Sequence, residues 1–176
     1  MHLPLFIGLL LAALPLHAQP ATAAANTRVY FSPFGGCTDA VEASLLLAKS
    51  NVLVQAYSFT SAPIAKALVD AKKRGVDVQV VLDKSQRTEQ YTSATFLANE
   101  GVPIFIDDSH RIAHNKVMVI DGETVITGSF NFTKSAEEAN AENLLIIKDP
   151  LLAQKYTANW QAHRAHSQGY TGKVAE

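Results

Sequence analysis

A single cysteine, Cys37, occurs in the 176 residues, so no disulfide can form within the chain and stability must come from core packing. No base adjoins that thiol in sequence, and it reads as a buried structural residue rather than a reactive one. A surplus of charge is also lacking: 15 Lys and Arg face 16 Asp and Glu, a net charge of -1. That excludes a protein held to polyanions by its overall charge; a polyanion must be gripped by a local patch, and the grip must weaken with salt. Charged residues make up 18% and hydrophobic residues 48% of the chain, which excludes a disordered composition. The length suits one domain, and no internal repeat, low-complexity run or linker divides it. Long apolar runs are absent with one exception. Leu3 to Leu16 carries no Asp, Glu, Lys or Arg and is too short to span a bilayer comfortably. Small-residue cleavage sites follow it at Ala18, Ala23 and Ala25. Residues 1–25 are therefore expected to be a signal peptide cut between 18 and 25, leaving residues 26–176 as a periplasmic or secreted domain with no stable membrane insertion.

What is present is an alternation of apolar strands and amphipathic helices. Arg28 to Phe31 reads as a short strand, followed by the loop Ser32 to Gly36 and a helix capped near Thr38. Asn51 to Phe59, with its run Val52-Leu53-Val54, reads as a buried strand, and Pro63 opens a helix that ends at Gly75. Val76 to Leu82 is the next strand. A helix is expected from Thr88 to Asn99, closing at Gly101, with strands at Val102 to Ile106 and Lys116 to Ile120. Asp121-Gly122 marks a tight hairpin into Thr124 to Thr127. A helix around Ser135 to Ala139, a strand Asn143 to Ile147, a terminal helix Leu151 to His166 and a polar tail complete the chain. The expected fold is α/β: one domain with a mixed, mostly parallel sheet, flanked by helices on both faces and holding at least one antiparallel pair at the hairpin.

The segment with the most chemistry is His114-Asn115-Lys116-Val117-Met118-Val119-Ile120-Asp121, followed by Gly128-Ser129-Phe130-Asn131-Phe132. Side chains alternate along a strand, so His114 and Lys116 project to one side and an imidazole shares a pocket with an ammonium. Asp121 has the opposite parity and falls at the turn, which suits a structural role. Gly128 removes a side chain where backbone must approach closely, while Ser129 and Asn131, again two apart, offer a hydroxyl and an amide to one ligand. A cation with neutral donors fits a phosphate diester, whose charge must be held while it passes through a five-coordinate transition state. His114 is the candidate nucleophile. No cofactor and no metal ligand is assigned to this group, since Lys116 repels a cation bound at His114.

These residues carry the H-x-K-x4-D-x6-G-S-x-N pattern with every spacing intact, and the chain resembles the phospholipase D superfamily, in particular its small single-motif bacterial endonucleases, over about residues 27 to 170. The resemblance implies a phospholipase D-like fold and a ping-pong mechanism. One histidine attacks phosphorus to form a phosphohistidine, a second protonates the leaving oxygen, and water releases the phosphate. Carried over by position, His114 is nucleophile or acid, Lys116, Ser129 and Asn131 bind the phosphate, and Glu142 resembles the acidic partner that orients the histidine. No other histidine here is followed by x-Lys. The second motif then has to come from a second copy, which implies a homodimer with both His114 residues facing one phosphate.

Blander readings apply elsewhere. Asp107, Asp108, His110 and His114 have the residue types of a metal site, but the aspartates read as a solvated loop before the motif. Lys72, Lys73 and Arg74 end a helix and suit its dipole, whereas Lys84, Arg87, Arg111 and Lys134 are candidates to line a groove for a phosphate backbone. His163, Arg164 and His166 read as an exposed helix face, and Trp160 and Tyr156 as core or interface anchors. The favoured function is a metal-independent, nonspecific endonuclease acting on DNA, with RNA also open. The alternatives are phospholipase D-type hydrolysis of phospholipid and a silent phosphate-binding module.

Overall fold

A computed structural model describes residues 26–172; the proposed signal peptide lies outside the described residues. Eight strands form one sheet in the order β1-β7-β6-β5-β2-β3-β4-β8. The strands are β1 Asn26–Ser32, β2 Asn51–Ala56, β3 Asp77–Asp83, β4 Ile104–Asp107, β5 Lys116–Ile120, β6 Thr124–Gly128, β7 Glu142–Lys148 and β8 Gln168–Tyr170. The helices are α1 Cys37–Leu46, α2 Ala62–Lys73, α3 Ala94–Asn99, α4 Lys134–Glu138 and α5 Pro150–His166. No helix among the described residues is long and apolar enough to cross a membrane.

The central strands are buried on both faces, and their parity decides which helix they meet. Met118 and Ile120 of β5 join Val52 and Val54 of β2 in the main core, against Val41 and Leu45 of α1 and Ile64 and Leu68 of α2. The alternate residues Val117 and Val119, with Val125 of β6, face the other way against Ala153, Leu152 and Tyr156 of α5. Trp160 of α5 is buried and its Nε1 donates to the Val54 carbonyl at 2.8 Å, so Trp160 and Tyr156 anchor the core. Helices thus cover both faces of a mixed sheet, as the sequence implies. The balance of strand direction does not follow the expectation: only β2-β3 and β3-β4 run parallel, whereas β1-β7, β7-β6, β6-β5, β5-β2 and β4-β8 are antiparallel. The tight Asp121-Gly122 hairpin returns the chain beside the strand it has just left, which forces antiparallel pairing of β5 and β6.

Three local expectations are corrected. The helix expected from Thr88 begins only at Ala94, because Gln86 is buried and its Oε1 accepts from the Phe59 amide at 3.3 Å and the Thr92 hydroxyl at 2.9 Å. Those bonds hold the preceding residues as a 3-10 turn, Lys84–Arg87, and a loop. The cap of α1 is not Thr38: Glu137 of α4 accepts from the amides of Gly36 at 3.1 Å and Thr38 at 2.7 Å, so a carboxylate about a hundred residues away does the work of a local cap. Finally, the polar tail contains β8, which pairs with β4 and is held by Tyr170, whose hydroxyl bonds that of Thr95 at 2.9 Å.

Candidate active site

The motif segments meet because of strand register. β5 pairs with β6 through Val117↔Thr127, and one further step of that register sets Gly128 beside Lys116. On the other side Ala56 pairs with Lys116, and the Tyr57 amide donates to the Asn115 carbonyl at 2.8 Å. The loop ending in His114 is also fastened from β3, where Asp83 Oδ2 accepts from the Ala113 amide at 2.7 Å.

His114 is exposed and Lys116 is buried, yet both project to one side as their spacing requires. Lys116 Nζ lies 3.1 Å from His114 Nδ1 and donates to the His114 carbonyl at 3.0 Å. An ammonium has only donors, so Nδ1 accepts and the ring proton resides on Nε2. Burial disfavours the Lys116 charge and lowers its pKa below the ordinary lysine value, with the negative charge of Glu142 partly opposing that effect. Tyr57 walls the pair: its ring centroid is 4.6 Å from that of His114, and Lys116 Nζ stands 5.2 Å from the Tyr57 centroid. Sequence reasoning missed Tyr57, whose only signal is its position just past a buried strand.

The segment Gly128 to Phe132 alternates between core and surface. Phe130 and Phe132 are fully buried, and the Phe132 carbonyl accepts from the Thr60 and Ser61 amides at 3.0 and 2.9 Å. Ser129, by contrast, is exposed. Its Oγ accepts from the Asn143 amide at 3.1 Å and from Asn143 Nδ2 at 3.3 Å, which leaves its own O–H to donate outward. Asn131 Oδ1 is buried with no hydrogen-bond partner, so that amide is not locked in one orientation. Gly128 has φ 146°, and a Cβ there would strike the Asn143 carbonyl, a close approach only glycine permits.

The two carboxylates read from the motif and its flank lie apart from each other. Asp121 stands away from the pair, as expected: it accepts from the amides of Lys49, Ser50 and Asn51 and from the Ser50 hydroxyl. Glu142, however, bonds Asn140 Nδ2 at 3.1 Å and makes no hydrogen bond to His114 of its own chain; its link to the pair is the charge it exerts on Lys116. Cys37 is buried, and burial, reinforced by Glu137, pushes its thiol up to about 11, which keeps it inert.

The metal-type set read from sequence is also rearranged. Asp107 and His110 do not join His114; they meet His163 and His166, taken from sequence as an exposed helix face. Asp107 accepts from His163 Nδ1 at 2.7 Å and lies 3.1 Å from His110 Nδ1 and 3.3 Å from His166 Nε2. Burial works against its charge, but the bonds from His163, His110, His166 and the Ser109 amide outweigh burial and hold the carboxyl at about 2. Among the candidate groove cations, Lys84 donates to the His110 carbonyl at 2.9 Å, Arg87 to Gln168 Oε1 at 3.0 Å, and Lys134 pairs with Glu138 at 3.6 Å. Arg111 is exposed three residues before His114. Arg74 and Lys73, at the end of α2, bond the Leu45 carbonyl and Glu100.

Known proteins are similar to this chain in sequence and in fold. Residues 42–164 match the family described as cardiolipin synthase, PLD-like domain. A phospholipase D of Rickettsia typhi is 38% identical over 149 residues, covering 85% of this chain and 73% of the relative. A mitochondrial cardiolipin hydrolase of Xenopus laevis is 32% identical over 117 residues, 66% of this chain and 56% of the relative. The crystal structure of Nuc, a phospholipase D family member from Salmonella typhimurium, superposes with a TM-score of 0.80 at 40% identity, covering 83% of this chain and 98% of that one. Motif, fold and relatives agree, and the chain belongs to the phospholipase D superfamily as one of its phosphodiester hydrolases.

Proposed function

We propose that the protein is an exported, nonspecific endonuclease that cleaves nucleic acid without a metal in the reaction, through a phosphohistidine on His114, in a site completed by a second copy of the chain. The observation that carries this reading is the exposed His114 imidazole with the buried Lys116 ammonium 3.1 Å from it. The pair opens onto the surface, where a polymer backbone has access. A cleft of about 650 Å3 elsewhere on the described residues is lined instead by residues such as Arg28, Lys49 and Lys148. Lys116, the outward Ser129 hydroxyl and the Asn131 amide are the donors for the phosphate oxygens, and exposed Arg111, three residues before His114, is a candidate for a neighbouring phosphate. A phosphate oxygen that draws Lys116 Nζ away from Nδ1 frees that nitrogen to take the ring proton, leaving Nε2 to attack phosphorus. The chain has one His-x-Lys, so the proton for the leaving oxygen comes from His114 of a second copy. The apolar segment Leu3 to Leu16 supports export.

Phospholipid is the second reading. It is favoured by the names of the relatives and by apolar side chains at the site's end of the sheet: Ile112, two residues before His114, is 49% exposed, and Phe34, next to the end of β1, is 76% exposed. The deciding experiment is digestion of supercoiled plasmid by the purified mature protein in excess EDTA, beside His114→Ala and a parallel assay on phosphatidylcholine and cardiolipin vesicles. Nicking that persists in EDTA and is lost in the variant is the expected outcome. Hydrolysis of lipid alone would transfer the same chemistry to phospholipid; inertness toward both would leave a phosphate-binding module.

A further inference from the structure

We propose that Asp107, His110, His163 and His166 form a transition-metal site, of the kind that takes Zn2+, which clamps the last turn of α5 to the loop that delivers His114. One ligand atom from each of these residues lies within 4.8 Å of all the others. The three imidazoles surround one carboxylate, with ring centroids 4.8, 5.3 and 5.5 Å apart. In a tetrahedral zinc shell with bonds of about 2.0–2.2 Å, neighbouring donors stand about 3.4 Å from one another. The donors here need side-chain adjustments of only about 1 Å to reach that geometry.

The chemistry of the donors selects the ion. Three imidazoles and one carboxylate are too nitrogen-rich for Mg2+ or Ca2+ and suit Zn2+, with Co2+ and Ni2+ as surrogates. The carboxylate leaves the occupied site with one net positive charge, and four protein ligands make a closed site of the structural type rather than an open catalytic one. Each ring turns a lone pair to the ion and keeps its proton on the other nitrogen, so no proton need be lost from a neutral histidine. The neighbouring cations are engaged elsewhere: Lys84 Nζ bonds the His110 carbonyl, and the Arg164 guanidinium lies 3.3 Å from the Phe105 ring centroid. The entry path is open, since the His110 and His166 side chains are 45% and 38% exposed while Asp107 is fully buried. His114 is excluded from the site by Lys116, the cation beside its Nδ1.

Sequence separation explains why the site is worth having. Asp107 ends β4, His110 sits in the loop that runs to His114, and His163 and His166 are one turn apart near the end of α5. An ion bound there fastens the C-terminal helix to the loop that sets the position of His114. It acts as a brace, not as a reagent. Without it the Asp107 hydrogen bonds still hold the loop, so cleavage at 25 °C in EDTA is expected to persist.

The test is titration of the chelator-stripped full mature chain with Co2+, followed by displacement with Zn2+, with melting temperature recorded in parallel. The expected result is one Co2+ per chain with the intense visible absorption of tetrahedral cobalt, loss of that band on adding one equivalent of Zn2+, and a higher melting temperature with Zn2+. His163→Gln should weaken binding by more than about 100-fold, beyond what loss of an outer-sphere partner costs. His166→Gln, at a more exposed position, gives the same answer should the first variant fail to fold. His114→Ala should leave the cobalt spectrum unchanged. Absence of stoichiometric binding, a six-coordinate cobalt spectrum, or binding that survives both cluster variants overturns the proposal. Because the readouts are binding and melting, the result is independent of what His114 cleaves.

Discussion

Lys116 carries its charge where the motif is least hospitable to it: the side chain is 7% exposed, and burial pulls its pKa below the ordinary lysine value. The ammonium proposed to hold the phosphate is present below that lowered value and is lost as pH rises through it. Glu142 opposes the shift, so Glu142→Gln should lower the Lys116 value further and move the alkaline limb of the rate profile to lower pH. The measurement is the pH dependence of bis(p-nitrophenyl) phosphate hydrolysis for both proteins; an unmoved limb would mean that Glu142 does not act through Lys116. Lys116→Met, which removes the donor itself, should cost about 100- to 1000-fold in rate at any pH. At this scale the sequence was informative where two groups lie two residues apart in one segment. His114, in the loop that enters β5, and Lys116, its first residue, meet as that spacing implies. The partner of Glu142 within its own chain was not legible, because its carboxylate accepts from Asn140 Nδ2 two residues before it rather than from His114. Only half of the Asp107 cluster was legible: Asp107 and His110 have the residue types of a metal site, but His163 and His166 could not be joined to them because 56 residues separate Asp107 from His163.

The β5–β6 hairpin is the element most fully legible in the sequence, and Asp121 shows why. Asp121 and Gly122 have φ of 55° and 65°, the left-handed pair that an Asp-Gly turn of this kind needs. The Asp121 carboxylate then reaches back to three successive amides at Lys49, Ser50 and Asn51. This ties the turn to the start of β2 and gives the motif's aspartate a purely structural reason to be there. Asp121→Ala strips those amides of their acceptor and should destabilise the fold by about 1–3 kcal/mol. Hydrolysis per folded chain at 25 °C should stay within about twofold of the parent, since Asp121 contributes no hydrogen bond to the His114–Lys116 pair. Thermal unfolding and initial rates on the same sample check both halves, and a collapse of rate without loss of stability would place Asp121 in the chemistry. Elements capped or paired from afar were misread by contrast. The start of α1 depends on Glu137 from α4, and α3 is shortened by the buried Gln86. The third case is β8, a strand only because β4 offers it an edge. Each is decided by tertiary contacts that override local propensity.

At the scale of the whole molecule, the parity of apolar residues gave the layered α/β architecture, since Met118 and Ile120 face one set of helices while Val117 and Val119 face another. The direction of the strands was not given, because apolar runs buried on both faces look alike in parallel and antiparallel sheets. On the proposed mechanism the single chain lacks a proton donor: one His-x-Lys is present, and that mechanism uses one histidine for attack and a second to protonate the leaving oxygen. If both come from paired copies, a chain with His114→Ala must poison its partner. Wild-type and variant chains are mixed, unfolded together and refolded, so that they pair at random. In a ninefold excess of variant only about one wild-type chain in ten finds another wild-type chain, so activity per wild-type chain should fall about tenfold. An enzyme with a complete site in each chain would lose nothing under the same mixing. A mixed pair that kept one productive orientation would have half the activity of a wild-type pair but also half its wild-type chains, so it too would lose nothing per wild-type chain. Titrating the ratio of variant to wild type identifies the shared site, because only a site that requires both histidines makes activity per wild-type chain proportional to the wild-type fraction.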